Sequence, residues 1–400
     1  MKNIFVYKSM NKPLSSYPIE YVERKGLGHP DSLIDGIAEK VSYELSNYYI
    51  KEVGVVLHHN VDKGLIIGGS SNVSLGHGKI TKPIEIILAG RATSLISEKK
   101  VPLNEITKKT AEDYLKQNTR FLDINNEIII TPKIFPGSED LNQIFNRSKG
   151  IPLANDTSFG MGFAPFTKTE ELTLHIERFL NSKDYKLKMP MTGEDIKVMC
   201  IRKKNKFIIN IAVAFVAQFI NSVDEYALYK EKIIEDVGRE VNKIIGNLEY
   251  NINVNSGDNL NKKEIYLTKS GLSCENGDDG EVGRGNRING LITPFRTMTL
   301  EAAAGKNPIN HTGKLYSVLS NEIANDVIKE YNQVDECMVA IVSYIGKPIN
   351  EPKNMSISIN MKKGEKLELI KNKIEDIAFE KLNNIQQITE GFIKGKYDVF

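Results

Sequence analysis

Glu23-Arg24-Lys25-Gly26-Leu27-Gly28-His29-Pro30-Asp31 runs directly into Ser32-Leu33-Ile34-Asp35-Gly36-Ile37-Ala38. The pattern changes inside this stretch, and that change decides the local fold. Glycines at 26 and 28 loosen the backbone ahead of the change. From Asp31 to Tyr48, Leu33, Ile34, Ile37, Ala38, Val41 and Leu45 form one stripe at helical spacing, and Pro30 suits the first turn. A helix N-terminus approached this way favours anions, and Asp31 offers oxygen to a hard cation such as magnesium. The simpler reading is that Asp31 only complements the helix dipole.

Outward from this helix, apolar runs bounded by Gly, Asn or Pro predict strands at Val53–Leu57, Leu65–Gly69, Ile84–Ala89, Glu127–Thr131, Phe207–Val216, Met338–Tyr344 and Met355–Asn360. Thr167-x-x-Glu170 predicts a capping box for a helix to about Leu180. Helical periodicity predicts further helices at 224–247, 313–331 and 366–390. Strands in pairs with interspersed helices, repeated about three times, favour α+β: mixed sheets with helices on one face. The expected units are 1–150, 151–265 and 266–400, with the polar stretch Asn251–Lys263 as a linker or surface loop.

The chain has 400 residues, 40% hydrophobic and 26% charged, with a net charge of +2. That is an ordinary globular composition without the broad basic field of a nucleic-acid binder. The apolar tract near the N-terminus is broken by Lys8 and Pro13, and no run reaches membrane-spanning length. A soluble, cytoplasmic protein with no membrane or nucleic-acid partner is expected. Cys200, Cys274 and Cys337 are far apart and read as small buried side chains, not as a disulfide framework. P-loop, Rossmann, GxSxG and HExxH patterns are all absent from the sequence. His58, His59 and His77 lack the spacing of a zinc site.

Four further segments look unlike plain scaffold. Pro136-Gly137-Ser138-Glu139-Asp140-Leu141-Asn142-Gln143 reads as a nucleotide-contacting loop or a helix cap. Ala154-Asn155-Asp156 through Gly160, Gly162 and Pro165 reads as backbone close to a ligand or as a tight inter-strand turn. Gly193-Glu194-Asp195-Ile196-Lys197 is a turn entering a strand. Gly277–His311 holds six glycines and four cations in 35 residues, and it carries little helix propensity before Lys314. A loop this long is usually functional, and glycines with Arg and Lys suit a polyphosphate.

Together these segments resemble the S-adenosylmethionine synthetase (methionine adenosyltransferase) family along nearly the whole chain. Gly28-His29-Pro30-Asp31 is similar to its GHPD signature, with Glu23 at the expected spacing upstream. Asp140-Leu141-Asn142-Gln143 resembles DINQ, and Asp156 with Gly162, Phe163 and Ala164 resembles DQGLMFGYA. Asp195-Ile196-Lys197 resembles DSK. Gly277-Asp278 with Gly280, Gly283 and Arg284 resembles GDAGLTGR, and Gly305-Lys306-Asn307-Pro308 resembles GKDP. The wording between the motifs is similar to the archaeal form. The resemblance implies that methionine sulfur attacks C5′ of ATP and expels tripolyphosphate, which is then hydrolysed to pyrophosphate and phosphate. It also implies three similar α/β subdomains in a pseudo-threefold arrangement, magnesium and often potassium, and sites shared across a homodimer or a dimer of dimers.

By motif position, His29 stabilises the departing oxygen, Asp31 holds magnesium, and Lys197, Arg284 and Lys306 clamp phosphates. Glu23 and the loop Gly137, Ser138, Glu139, Asp140, Leu141 and Asn142 meet ATP, and Asp156 and Asp278 meet methionine or ribose. The sequence departs from the bacterial pattern at Gly285, where a lysine is expected and Arg287 is the substitute in view. It departs again at Asn310 and Thr312, in place of a lysine and an acid; Lys314 and Asp35 are the candidates to compensate.

Overall fold

The computed structural model describes residues 3–137 and 150–400. Two four-stranded sheets and one five-stranded sheet carry helices, and each has its own core. In the first, Gly280–Glu281, His59–Ile67, Ile84–Ala92 and Ile128–Phe135 lie side by side; the last pairing is parallel and the others antiparallel. Helices α1 (Pro30–Val53) and α2 (Leu103–Asn118) pack on it. The predicted stripe of α1, Leu33, Ile34, Ile37, Ala38, Val41 and Leu45, meets Val61, Ile66, Ile86 and Leu88 there.

The second sheet orders Glu249–Val254, Lys206–Val216, Thr192–Lys203 and Ile19–Lys25, with Leu267–Thr268 also paired to Lys206–Val216, beneath α3 (Lys168–Leu180), α4 (Lys183–Lys188) and α5 (Val223–Ile245). The third orders Ile4–Lys8, Asn354–Met361, Val334–Val342 and Phe159–Ala164, with α6 (Thr312–Glu330), α7 (Lys371–Asn383) and α8 (Gln386–Ile393). All three sheets share one pairing order: a parallel pair at one edge, then two antiparallel pairs. The chain threads between them. Ile4–Lys8 pairs with a strand near the C-terminus, and Gly280–Glu281 returns to the sheet under α1.

The expected capping box is present. Thr167 Oγ1 accepts from the Glu170 N–H (3.2 Å), and the Glu170 carboxylate accepts from the Thr167 N–H (2.7 Å). Other expectations are corrected. Val53–Leu57 is not a strand: α1 continues through Tyr49 and Val53 until Gly54, at φ 78°, closes it by donating to Ile50 O. Asn251–Lys263 is not all loop, because Ile252 and Val254 alternate inward and build a strand over Glu249–Val254. The helix expected over 366–390 breaks between α7 and α8. Helix α2 carries no prediction, because its inward face holds Thr107 and Thr110 among only a few apolar residues.

Gly160 and Gly162 do not lie in a turn. They lie within Phe159–Ala164, and a Cβ on either would overlap the backbone of α6 at Tyr316–Ser317 or Ser320–Asn321. Those glycines let helix and strand touch.

Candidate active site

The site is built around the N-terminus of α1. Gly26 donates to Ile196 O (2.7 Å) and Gly28 to Glu194 O (2.9 Å), so the chain runs hard against the start of strand Thr192–Lys203. A side chain on Gly28 would overlap the backbone of Glu194 and Asp195. His29 then caps the helix: its Nδ1 accepts from the Asp31 N–H (3.2 Å). Burial holds its pKa below the ordinary histidine value, although Asp195 and Asp31 pull it upward. With Nδ1 accepting, the neutral ring carries its proton on Nε2 by geometric assignment.

Asp31 is buried, and both its oxygens are engaged. One accepts from Lys25 Nζ (2.7 Å) and the other from the Glu281 N–H (2.9 Å). One turn on, Asp35 accepts from the Gly283 N–H (2.9 Å), and burial raises its pKa to about 7. The Gly-rich loop therefore wraps the helix start, and Gly285 packs on Asp35, where any side chain would crowd Oδ2. Asp278 is exposed and accepts from Ser273 Oγ (2.9 Å), while Ser273 N–H donates to buried Asp195 (3.0 Å). Both carboxylates lie in the electrostatic neighbourhood of His29.

Strand pairing supplies the adjoining face. Lys197 sits opposite Lys25 and Met199 opposite Glu23, so Lys25, Glu23 and Lys197 share one side, with Lys197 Nζ 3.2 Å from Glu23. Arg284 is exposed on the loop, its side chain unpaired among the described residues.

Lys306 and Asp156 belong to a second cluster. Lys306 is buried in an ion pair with Glu301, 3.9 Å from Asp62, and burial lowers its pKa to about 8. Asp156 is exposed and accepts from the Thr157 N–H (2.6 Å). The preceding Gly305 N–H donates to Glu39 of α1 (3.0 Å). Glu39 follows Asp31 by eight residues, so this cluster lies about 12 Å along the helix from the first, at ~1.5 Å per residue. Gly137 follows Pro136, whose carbonyl accepts from Arg91 (3.3 Å); Ser138, Glu139, Asp140, Leu141 and Asn142 lie outside the described residues.

The pattern of the S-adenosylmethionine synthetase (AdoMet synthetase) family matches residues 2–396. The chain is 46% identical to the S-adenosylmethionine synthase of Methanococcus aeolicus and 46% identical to that of Methanocaldococcus jannaschii, in each case over 100% of both chains. It is 45% identical to that of Picrophilus torridus, over 100% of this chain and 98% of the relative. The chain belongs to this family.

Within that family, the compensations expected at the departures meet a different geometry. Arg287 turns inward: its guanidinium donates to the carbonyls of Gly283 and Gly285 (2.9 Å to the latter), bracing the loop. Lys314 is fully buried, bonded to both oxygens of Glu39 (2.6 Å each) and to Lys306 O (2.9 Å). It ties α6 to α1. Among the described residues no group of three or more acidic, His or Cys side chains could cage a metal. Magnesium is commonly held by one or two carboxylates together with substrate phosphates. Asp31 and Asp35 project from successive turns of α1 toward the same loop, and Asp35 forms no direct ion pair among the described residues, although Arg287 and Lys25 lie within its electrostatic reach. This pair fits a hard divalent ion. Asp195, Lys25 and Glu301 carry no assigned role in the sequence reading, whereas Asp35 stands there as a candidate to compensate for the missing acid. Of the first three, Asp195 alone had a signal, its place two residues before Lys197.

Proposed function

We propose that the chain transfers the adenosyl group of ATP to methionine at the N-terminus of α1, giving S-adenosylmethionine and tripolyphosphate, and then hydrolyses the tripolyphosphate. The observation that carries this reading is the convergence on one helix start of a capped, Nε2-protonated His29, the carboxylates Asp31 and Asp278, and the cations Lys25, Lys197 and Arg284. Methionine sulfur needs no general base, because a thioether is a competent nucleophile without losing a proton. The barrier lies in charge gathering on the departing triphosphate, so catalysis is electrostatic. One unit-charge pair at ~4 Å contributes about 4 kcal/mol at an effective dielectric near 20; several cations are needed.

In this reading His29 Nε2–H donates to the oxygen leaving C5′. Lys197 and Arg284 bind phosphate oxygens; Lys197 exchanges its Glu23 partner for them. Asp278 and Asp156 orient methionine or ribose, and Glu23 with the loop from Gly137 to Asn142 holds the nucleotide. Asp31, with Asp35 one turn on, would hold magnesium, which when bound neutralises phosphate charge.

Lys306 and Asp156 stand off from His29, which supports a homodimer in which each copy completes the other's site. Exposed apolar residues support it too: Leu65, Ile129 and Phe135 on the first sheet and Phe5, Tyr7 and Phe159 on the third. The shared pairing order supports three related units in a pseudo-threefold arrangement, with segments exchanged between 1–150, 151–265 and 266–400. Among the described residues no helix is long and apolar enough to cross a membrane; this is in keeping with a cytoplasmic enzyme. The test is incubation with ATP, methionine and Mg²⁺, with products resolved by mass spectrometry. S-adenosylmethionine with pyrophosphate and phosphate, all dependent on methionine, is expected. ADP, or phosphate released without methionine, would overturn the reading in favour of another ATP-using enzyme.

A further inference from the structure

Strand Thr192–Lys203 does not begin regularly: its register against Lys206–Val216 slips between Thr192 and Ile196. A bulge leaves backbone groups unpaired and re-aims the side chains around it. Here the freed oxygens are taken by two cations. Lys186, on α4, donates from Nζ to Gly193 O (2.6 Å) and to Thr192 O and Oγ1 (3.3 Å each). Arg120, just beyond α2, donates to Thr192 O and Pro190 O and pairs with the Glu194 carboxylate.

Lys186 is buried, yet it has no ion-pair partner among the described residues. Burial lowers its pKa to about 7, with Glu194 and Glu177 raising it and Arg120 lowering it. An unpaired buried ammonium is costly to keep, and among the described residues the groups it serves are the oxygens of Thr192 and Gly193 at the bulge.

The far side of that bulge is the site. Glu194 O accepts from the Gly28 N–H (2.9 Å) and from Asn181 Nδ2 (3.1 Å), and Asp195, held by the Ser273 N–H, neighbours His29. Three consecutive residues thus point three ways: Gly193 O to Lys186, Glu194 O to Gly28, and the Asp195 side chain toward His29.

We infer that Lys186, assisted by Arg120, is a positioning residue that locks the bulge at Gly193–Asp195 and so seats His29 and Asp195 for the reaction. The inference rests on the adenosyl-transfer reading above. A displacement near 1 Å at a reacting group costs on the order of 10²-fold in rate.

The test compares full-length Lys186→Met, Lys186→Arg and Arg120→Lys with wild type, and uses Lys183→Met, an exposed residue of the same helix, as the control. Methionine-dependent S-adenosylmethionine formation is measured alongside amide hydrogen exchange. Lys186→Met is expected to lower kcat about 10–100-fold with both KM values within about twofold. Exchange should rise in peptides spanning 26–31 and 193–196 and stay unchanged in α5. Lys186→Arg should recover most of the rate, and Lys183→Met should match wild type.

Where Lys186→Met does not fold, Arg120→Lys carries the test, since its side chain is partly exposed; a kcat loss of about fivefold or more at constant KM is expected. Wild-type rates in both variants, or a rate loss without faster exchange at 26–31, would overturn the positioning role while leaving the function intact. A wild-type protein that forms no S-adenosylmethionine would instead overturn the function.

Discussion

Replacing Asp35 by Asn isolates the electrostatic cost of a carboxyl buried beside the helix start. Its pKa stands at about 7 in the folded chain, against an ordinary value of 3.8, chiefly because of burial. Its pKa is higher in the folded state, so folding favours the protonated form. Stability from this group is complete below about pH 3.8 and is lost as pH rises toward 7. About three units at ~1.4 kcal/mol each give an upper figure near 4 kcal/mol. Asn keeps an oxygen for the Gly283 N–H but adds an amide donor that needs an acceptor, a cost of about 1–3 kcal/mol. Asp35→Asn should therefore stabilise the chelator-treated protein by about 1–3 kcal/mol at pH 8 and by little at pH 4.5. Thermal unfolding at both values reads the difference; about 1 °C per kcal/mol is expected for 400 residues melting together, and more for a single lobe. A stability change that is equal at the two pH values, or a loss at pH 8, would refute the argument.

Burial brings Lys306 to about 8, so its positive charge is complete below that pH and is lost above it. The profile of kcat/KM for ATP should fall on its alkaline side near pH 8; Lys306→Arg should move that limb upward, and Lys306→Met should lower kcat/KM by orders of magnitude. Asp31→Asn should raise the Mg²⁺ concentration needed for half-maximal rate, and an unchanged titration would remove Asp31 as a ligand. Gly162→Ala should destabilise by about 2 kcal/mol or more, since its methyl meets the backbone of Ser320 and Asn321. Unaltered urea unfolding would show that the strand and α6 can separate without cost.

Much of the site was legible because its local backbone demands particular residues. Gly28, Pro30 and Asp31 mark a helix start with a close neighbour, and that local physics reads directly from spacing. Asp195 and Lys186 were not legible as a pair. What joins them is a register slip between two strands, and a slip has no sequence signature of its own. Arg287 and Lys314 had the right charge to compensate for missing cations, but whether a cation faces a ligand or a carbonyl depends on which way the chain folds around it. Arg287 braces its own loop, and Lys314 is sealed against Glu39.

The sequence by itself determined the helix under the GHPD segment, the capping box at Thr167, the family and the chemistry of the candidate residues, since each depends on short-range spacing or on a motif. Only the tertiary structure decided which strands share a sheet, why Gly160 and Gly162 are glycines, and that Lys306 stands apart from His29. Those outcomes depend on contacts between segments far apart in the chain, as where Ile4–Lys8 pairs with Asn354–Met361. Hydrophobic burial selects such partners by surface shape, and no local pattern encodes it.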